Sequence, residues 1–173
     1  MLPEIARVMM LRELRALRRS VEAYPDDASL WAEPPGLPNP GGTLALHIAG
    51  NLQHFIGAVL GNTGYQRDRD AEFSKRGVPR AAILAEIAAA ERAVERGLAA
   101  LSEPALRERY PQQVAGRTIR TYDFVAHLIA HTAYHLGQLD YHRRVVTGDR
   151  QSVAALAAGE LPEYELRRTT LAE

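Results

Sequence analysis

The chain has 173 residues, a formal net charge of zero and no cysteine. That length suits one domain spanning residues 1–173, with enough core to fold alone. Zero net charge removes the basic excess of a nucleic-acid binder; the lack of cysteine excludes disulfides, thiolate metal sites and a cysteine nucleophile, leaving nitrogen and oxygen ligands for any metal.

No apolar run approaches the roughly 20 residues of a membrane span. The N-terminal stretch MLPEIARVMMLREL carries Glu4, Arg7 and Arg12 among its apolar residues, so it does not read as a signal peptide, and the expected location is cytoplasmic. The arginine pairs Arg18–Arg19 and Arg143–Arg144 are expected on solvated helix faces.

Residues 3–23 read as the first helix. Pro3 suits a first helical turn, and Ile5, Val8, Met9, Leu11, Leu14, Leu17 and Val21 make a helical apolar stripe. Five prolines and three glycines in residues 24–42 then mark a long, semi-rigid loop, of the kind that often shapes a site. Within it Trp31, the only tryptophan, is expected to cap one end of the fold. The second helix is predicted from Thr43, a good N-cap, through Leu44, Ile48, Leu52, Phe55, Ile56 and Val59 to Gly61–Asn62. Residues 63–79 are polar and charged. An alanine-rich third helix follows from Arg80 to Leu101, and alanine favours helix and permits close packing. Residues 102–116 read as a loop, and Thr118 or Thr121 opens a fourth helix that runs to Val146 before Thr147-Gly148-Asp149 stops it. A short helix at 151–158 and an extended tail complete the chain. Four long amphipathic helices without a strand pattern predict an all-α, up-and-down four-helix bundle.

All six histidines fall on the second and fourth helices, at positions 47, 54, 127, 131, 135 and 142. In the fourth helix the spacings of 4, 4 and 7 residues put all four on one face, bordering the core, because a helix turns about 100° per residue. His131 and His135 are about 6 Å apart along the axis and can share one ion, whereas His127 and His135, about 12 Å apart, cannot. The fourth helix therefore supplies two ligands and the second helix a third, for which His47 and His54 are both open. The competing reading is a buried, hydrogen-bonded or pH-sensitive polar face.

The stretches HIAGNLQHFIGAVLG at 47–61 and HLIAHTAYHLGQLDYHRR at 127–144 resemble the DinB-like superfamily, damage-inducible four-helix bundles described as metalloenzymes. WAEPPGLPNPGGTLALH at 31–47 resembles that family's approach to its second helix. The most specific part is H-x-x-x-H-x-G-Q, matched by His131, His135, Gly137 and Gln138. The resemblance implies His47, His131 and His135 as ligands of one divalent transition metal, zinc, nickel or iron, with His127 the main rival and His54 and His142 additional. RDRDAEF at 67–73 resembles the signature of one branch. It is expected to be structural, with Arg67, Asp68, Arg69 and Asp70 forming ion pairs that pin the loop.

Three histidine ligands leave a coordination position open, the mark of a catalytic rather than a structural metal. The resemblance then implies a metal-dependent hydrolase, or a transferase using a low-molecular-weight thiol, acting on a small molecule. The alternative is a non-catalytic, stress-related bundle that binds a metal or small molecule. Glu72 and Asp123 are available carboxylates, but no general base is identified. The family resemblance and the alanine face of the third helix (Ala81, Ala82, Ala85, Ala88, Ala89) point to a homodimer.

Overall fold

The computed structural model describes residues 2–162. Within them the chain is helical, with no named strand: α1 (Leu2–Glu22), α2 (Asp27–Leu30), α3 (Gly41–Leu52), α4 (Arg69–Ser74), α5 (Arg80–Ala99), α6 (Glu103–Arg107) and α7 (Thr121–Thr147). A π-helical turn, Gln53–Ala58, continues α3. The expected extended tail falls largely on residues 163–173, outside the described residues. The short helix expected at 151–158 is replaced by a turn and one 3-10 turn, Ala158–Glu160.

The four long helices lie where the apolar periodicity puts them. α1 buries Met10, Leu14, Leu17 and Val21, although Ile5 stays exposed. The core closes with Ile48, Leu52 and Ile56 from the second, Ile83, Ile87 and Val94 from α5, and Leu128, Leu136 and Leu139 from α7. α1 and α3 each pack against both α5 and α7.

Helix directions depart from strict up-and-down alternation. α1 and α5 are antiparallel, since Arg7 meets Glu95 and Arg18 meets Glu91. α3 and α7 are antiparallel too, with Gly41 against His142 and His47 against His131. But α3 and α5 run the same way, because Gln53 meets Glu86, Gly57 meets Ala93 and Gly61 meets Gly97. Two consecutive parallel helices need a connection that travels back the length of the first. Residues 59–79 do this, running along α3 from the Thr63–Gly57 backbone bond to Arg76 beside Thr43. What reads in sequence as a polar loop is a return strap, and α4 forms inside it with Asp68 capping its first turn.

Two other expectations are corrected. The second helix begins at Gly41 behind Pro40, and Thr43 lies buried inside it. Glycine at both positions permits close packing there: a Cβ at Gly41 would fall 2.3 Å from the Tyr24 hydroxyl, and one at Gly42 2.5 Å from the Trp31 ring. Trp31 thus caps this end, and its Nε1–H donates to the Val78 carbonyl at 3.0 Å. Arg143 is not on a solvated face. It is fully buried and donates to Asp140, Asp149 and the Gln151 carbonyl, tying the chain beyond Gly148 back onto α7. Gly148 ends α7 at φ 70°, the left-handed conformation that glycine adopts without strain.

Candidate metal centre

α3 and α7 cross where each carries histidine. His47, His131 and His135 each bring one ring nitrogen into a group whose members all lie within 4.8 Å of one another, the one such group of three among the described residues. His47 Nε2 stands 3.3 Å from His131 Nε2. The ring centroids of His47 and His135 are 4.9 Å apart, and those of His131 and His135 4.5 Å. Two nitrogens bound tetrahedrally at about 2.0–2.1 Å from one zinc ion are about 3.3 Å apart, so the His47–His131 pair already has that spacing.

The far side of each ring sets where its lone pair points. His47 Nδ1–H donates to Glu72 Oε2 at 3.0 Å, which leaves the Nε2 lone pair aimed at the cluster. His135 Nδ1–H donates to Gln138 Oε1 at 2.7 Å, to the same effect. His131 Nδ1 is buried without a hydrogen-bond partner. Carboxylate and amide acceptors behind ligating imidazoles fix the tautomer and raise ligand basicity. These residues fit a divalent transition ion.

Electrostatics favour neutral rings. Burial pushes the His131 imidazole down to about 4, reinforced by His135, His47, His127 and Arg67 around it. Burial also lowers His135, against the opposing bond to Gln138. Both are therefore free of the proton that a metal has to displace at neutral pH. Burial alone would raise the Glu72 carboxyl, but hydrogen bonds from Arg67 and His47 outweigh it and hold Glu72 below the usual range. Arg67 binds Glu72 in fork fashion, at 2.7 Å and 2.8 Å.

Of the ion pairs expected in RDRDAEF, Arg67–Glu72 is present, while Asp68 and Arg69 take other roles. Arg67 reaches Glu72 behind His47, Asp68 caps α4, and Arg69 lies over the Phe73 ring at 4.9 Å. Phe73 itself packs on His47, with centroids 4.8 Å apart. The signal available in sequence is Gly50, where a Cβ would fall 2.3 Å from Glu72 Oε1. A mid-helix glycine marks such a close approach, though not what approaches.

The remaining histidines stay outside the group. His127 stacks on Phe124, 5.9 Å from the His131 centroid. His54 sits in the π-helical turn against Phe55. His142 is buried, its Nε2–H donating to the Ala32 carbonyl at 2.8 Å and its Nδ1 accepting from the Tyr24 hydroxyl at 2.7 Å. Asp123 pairs with exposed Arg120.

The family model described as the DinB superfamily matches residues 9–139. The chain belongs to the DinB superfamily. The matched span holds the three clustered histidines, Arg67, Glu72 and Gln138, and stops before His142 and the Arg143 clamp. No curated protein and no solved structure matches the chain.

Proposed function

We propose that the four long helices form a four-helix bundle of DinB type that holds one divalent transition ion on His47, His131 and His135. We further propose that this centre acts on a small molecule, as a hydrolase or as a transferase using a low-molecular-weight thiol. The observation that carries this reading is the convergence of three ring nitrogens whose outer partners, Glu72 and Gln138, turn two lone pairs inward.

When bound, such an ion supplies Lewis acidity, polarising an oxygen or lowering the pKa of a water or thiol. The protein's own part is orientation. Glu72 fixes the His47 tautomer, Arg67 keeps Glu72 ionised, and Gln138 fixes His135. His131 and His135 are only half-buried, so a small molecule can reach the centre.

The test is elemental analysis of protein purified without a metal-affinity tag, beside the His131→Ala variant. One equivalent of zinc, nickel or iron is expected in the wild type and none in the variant, with equal helicity by circular dichroism. Ester cleavage without added thiol marks a hydrolase, and product formed only with a small thiol marks a transferase. Metal-free wild type that stays empty on titration with each ion refutes the reading.

A further inference from the structure

One turn from the clustered histidines, the seam between α3 and α7 opens into a groove of about 350 Å³. That is within the size range of small-molecule sites. Its walls are mainly carbon: Leu37 and Pro38 from the loop before α3, Leu44 from α3, and Gly137 and Tyr141 from α7. Leu44 lies three residues before His47 and Gln138 three after His135, a rise of about 4.5 Å on either helix. The groove and the cluster are therefore contiguous, and Gln138 belongs to both.

Gly137 is the second observation. It sits mid-helix, where glycine costs stability relative to alanine. Other glycines of the helices have a packing reason, since a Cβ at Gly41, Gly42, Gly50, Gly57 or Gly97 would strike a neighbour below 3.0 Å. A Cβ at Gly137 would meet nothing within 4 Å. No neighbouring protein group requires the glycine, and Gly137 is one of the residues that line the groove.

Polar side chains on the lining are Asn39, Gln138 and His142, of which Gln138 stands at the border with the cluster. His142 also lines the groove, but both its ring nitrogens are engaged by Tyr24 and Ala32. Gln138 gives its Oε1 to His135, which leaves its amide N–H groups as donors at the border between groove and cluster.

We infer that this groove seats the apolar body of a small-molecule substrate whose polar, reacting end carries a hydrogen-bond acceptor and reaches the histidine cluster. Gly137 provides the room and Gln138 Nε2 the donor. This rests on the proposed metal centre for the position of the reacting end, but not for the groove itself.

Two probes separate the parts. N-Phenyl-1-naphthylamine, a neutral apolar fluorophore, reads the groove in metal-stripped protein. A series of straight-chain alkyl hydroxamates from aceto- to octano- reads groove and centre together in zinc-loaded protein. In the wild type, hydroxamate affinity should rise with chain length by up to about fourfold per methylene, the fold-change of burying one CH₂. In Gly137→Leu the fluorophore should bind at least tenfold more weakly and the chain-length dependence should flatten, while zinc content and acetohydroxamate affinity hold. Gly137→Ala, the smaller filling, should melt no lower than wild type and show an intermediate loss, which guards against misfolding of the leucine variant. Fluorophore binding unchanged in both variants overturns the groove. Acetohydroxamate binding with no chain-length dependence overturns its alignment with the centre. Absence of zinc uptake with fluorophore binding intact refutes the metal reading and not the groove. A wild-type dimer in light scattering that Gly137→Leu converts to monomer assigns the groove to a second copy of the chain, and overturns the proposal.

Discussion

Glu72 Oε2 lies 3.0 Å from His47 Nδ1, carried there by the strap that returns along α3. The carboxylate acts on the centre through His47, so Glu72→Gln is expected to weaken zinc affinity by about 10–100-fold with His47, His131 and His135 intact. The same substitution leaves Arg67 without its ionic partner, and stability should fall by about 3 kcal/mol, the lower end for a buried pair broken from one side because glutamine keeps an acceptor oxygen. Competition against a chelator reads the first effect and urea unfolding the second. Wild-type affinity in Glu72→Gln would make this contact a mere fold support.

Gly50→Ala approaches the same contact from behind. Its Cβ would fall 2.3 Å from Glu72 Oε1, the end of a flexible side chain, and 3.3 Å from the Tyr65 hydroxyl. The carboxylate can move where a backbone cannot. The expected result is a folded protein with metal affinity reduced in the direction of Glu72→Gln, and a double variant no weaker than Glu72→Gln alone. Additive losses in the double variant would show that Gly50 acts elsewhere.

The histidine series divides by geometry. His47→Ala should abolish metal retention, whereas His54→Ala and His142→Ala should keep it, because neither His54 nor His142 belongs to the converging group. His142→Ala should nonetheless lower stability by about 1–3 kcal/mol, since it strips hydrogen bonds from the buried Tyr24 hydroxyl and the Ala32 carbonyl. Metal content measured alongside thermal melting distinguishes these roles. Loss of metal from all three variants would point to a different ligand set.

The parallel seam between α3 and α5 is closed by small residues. A Cβ at Gly97 would fall 2.3 Å from the Ile56 carbonyl oxygen, which is backbone and cannot swing aside. Gly97→Ala should therefore destabilise by about 1–3 kcal/mol through overpacking, despite the better helix propensity of alanine. Equal urea midpoints for variant and wild type would mean that the seam opens without cost.

Much of this architecture is legible in the sequence, and the gaps have physical causes. The long helices show because their apolar spacing repeats over several turns, and His131 and His135 show because an i, i+4 pair is a local relation. Helix direction is not local: nothing in α3 or α5 separately says that Gly57 will meet Ala93 and Gly61 will meet Gly97. Residues 63–79 show in sequence only as polar and charged, which reveals neither the strap nor the partnership of Arg67 and Glu72 with His47. Thr43 was a plausible N-cap on local grounds. The helix instead starts at Gly41 after the extended Pro40, where Tyr24 and Trp31 approach Gly41 and Gly42 closely, a contact between distant residues that local sequence does not reveal. Spacing alone left His47 and His54 open. The π-helical turn that begins at Gln53 puts His54 in a different environment from the one a regular helix would give it.

His142 supplies a pH dependence of stability from outside the centre. Burial lowers its imidazole below the ordinary value, with the bond to the Ala32 carbonyl opposing only in part. In the unfolded chain it titrates near about 6.5. As pH falls below that value, the unfolded chain takes up a proton that the folded protein refuses. The unfolded state then binds more protons, so stability falls with falling pH, by at most about 1.4 kcal/mol per unit for this group. The loss stops only once folded His142 is protonated as well. Above about 6.5 neither state carries the proton and the contribution is fully present and flat. Burial also lowers His54, His131 and His135, so the wild type alone cannot assign the slope. His142→Gln retains hydrogen-bonding capacity and removes the titration. Urea unfolding of both proteins in chelator, from about pH 7.5 down to about pH 5 across the imidazole range, should give a shallower slope for the variant. Identical slopes would show that His142 takes up its proton equally in both states and that the Tyr24–His142–Ala32 bridge is indifferent to charge.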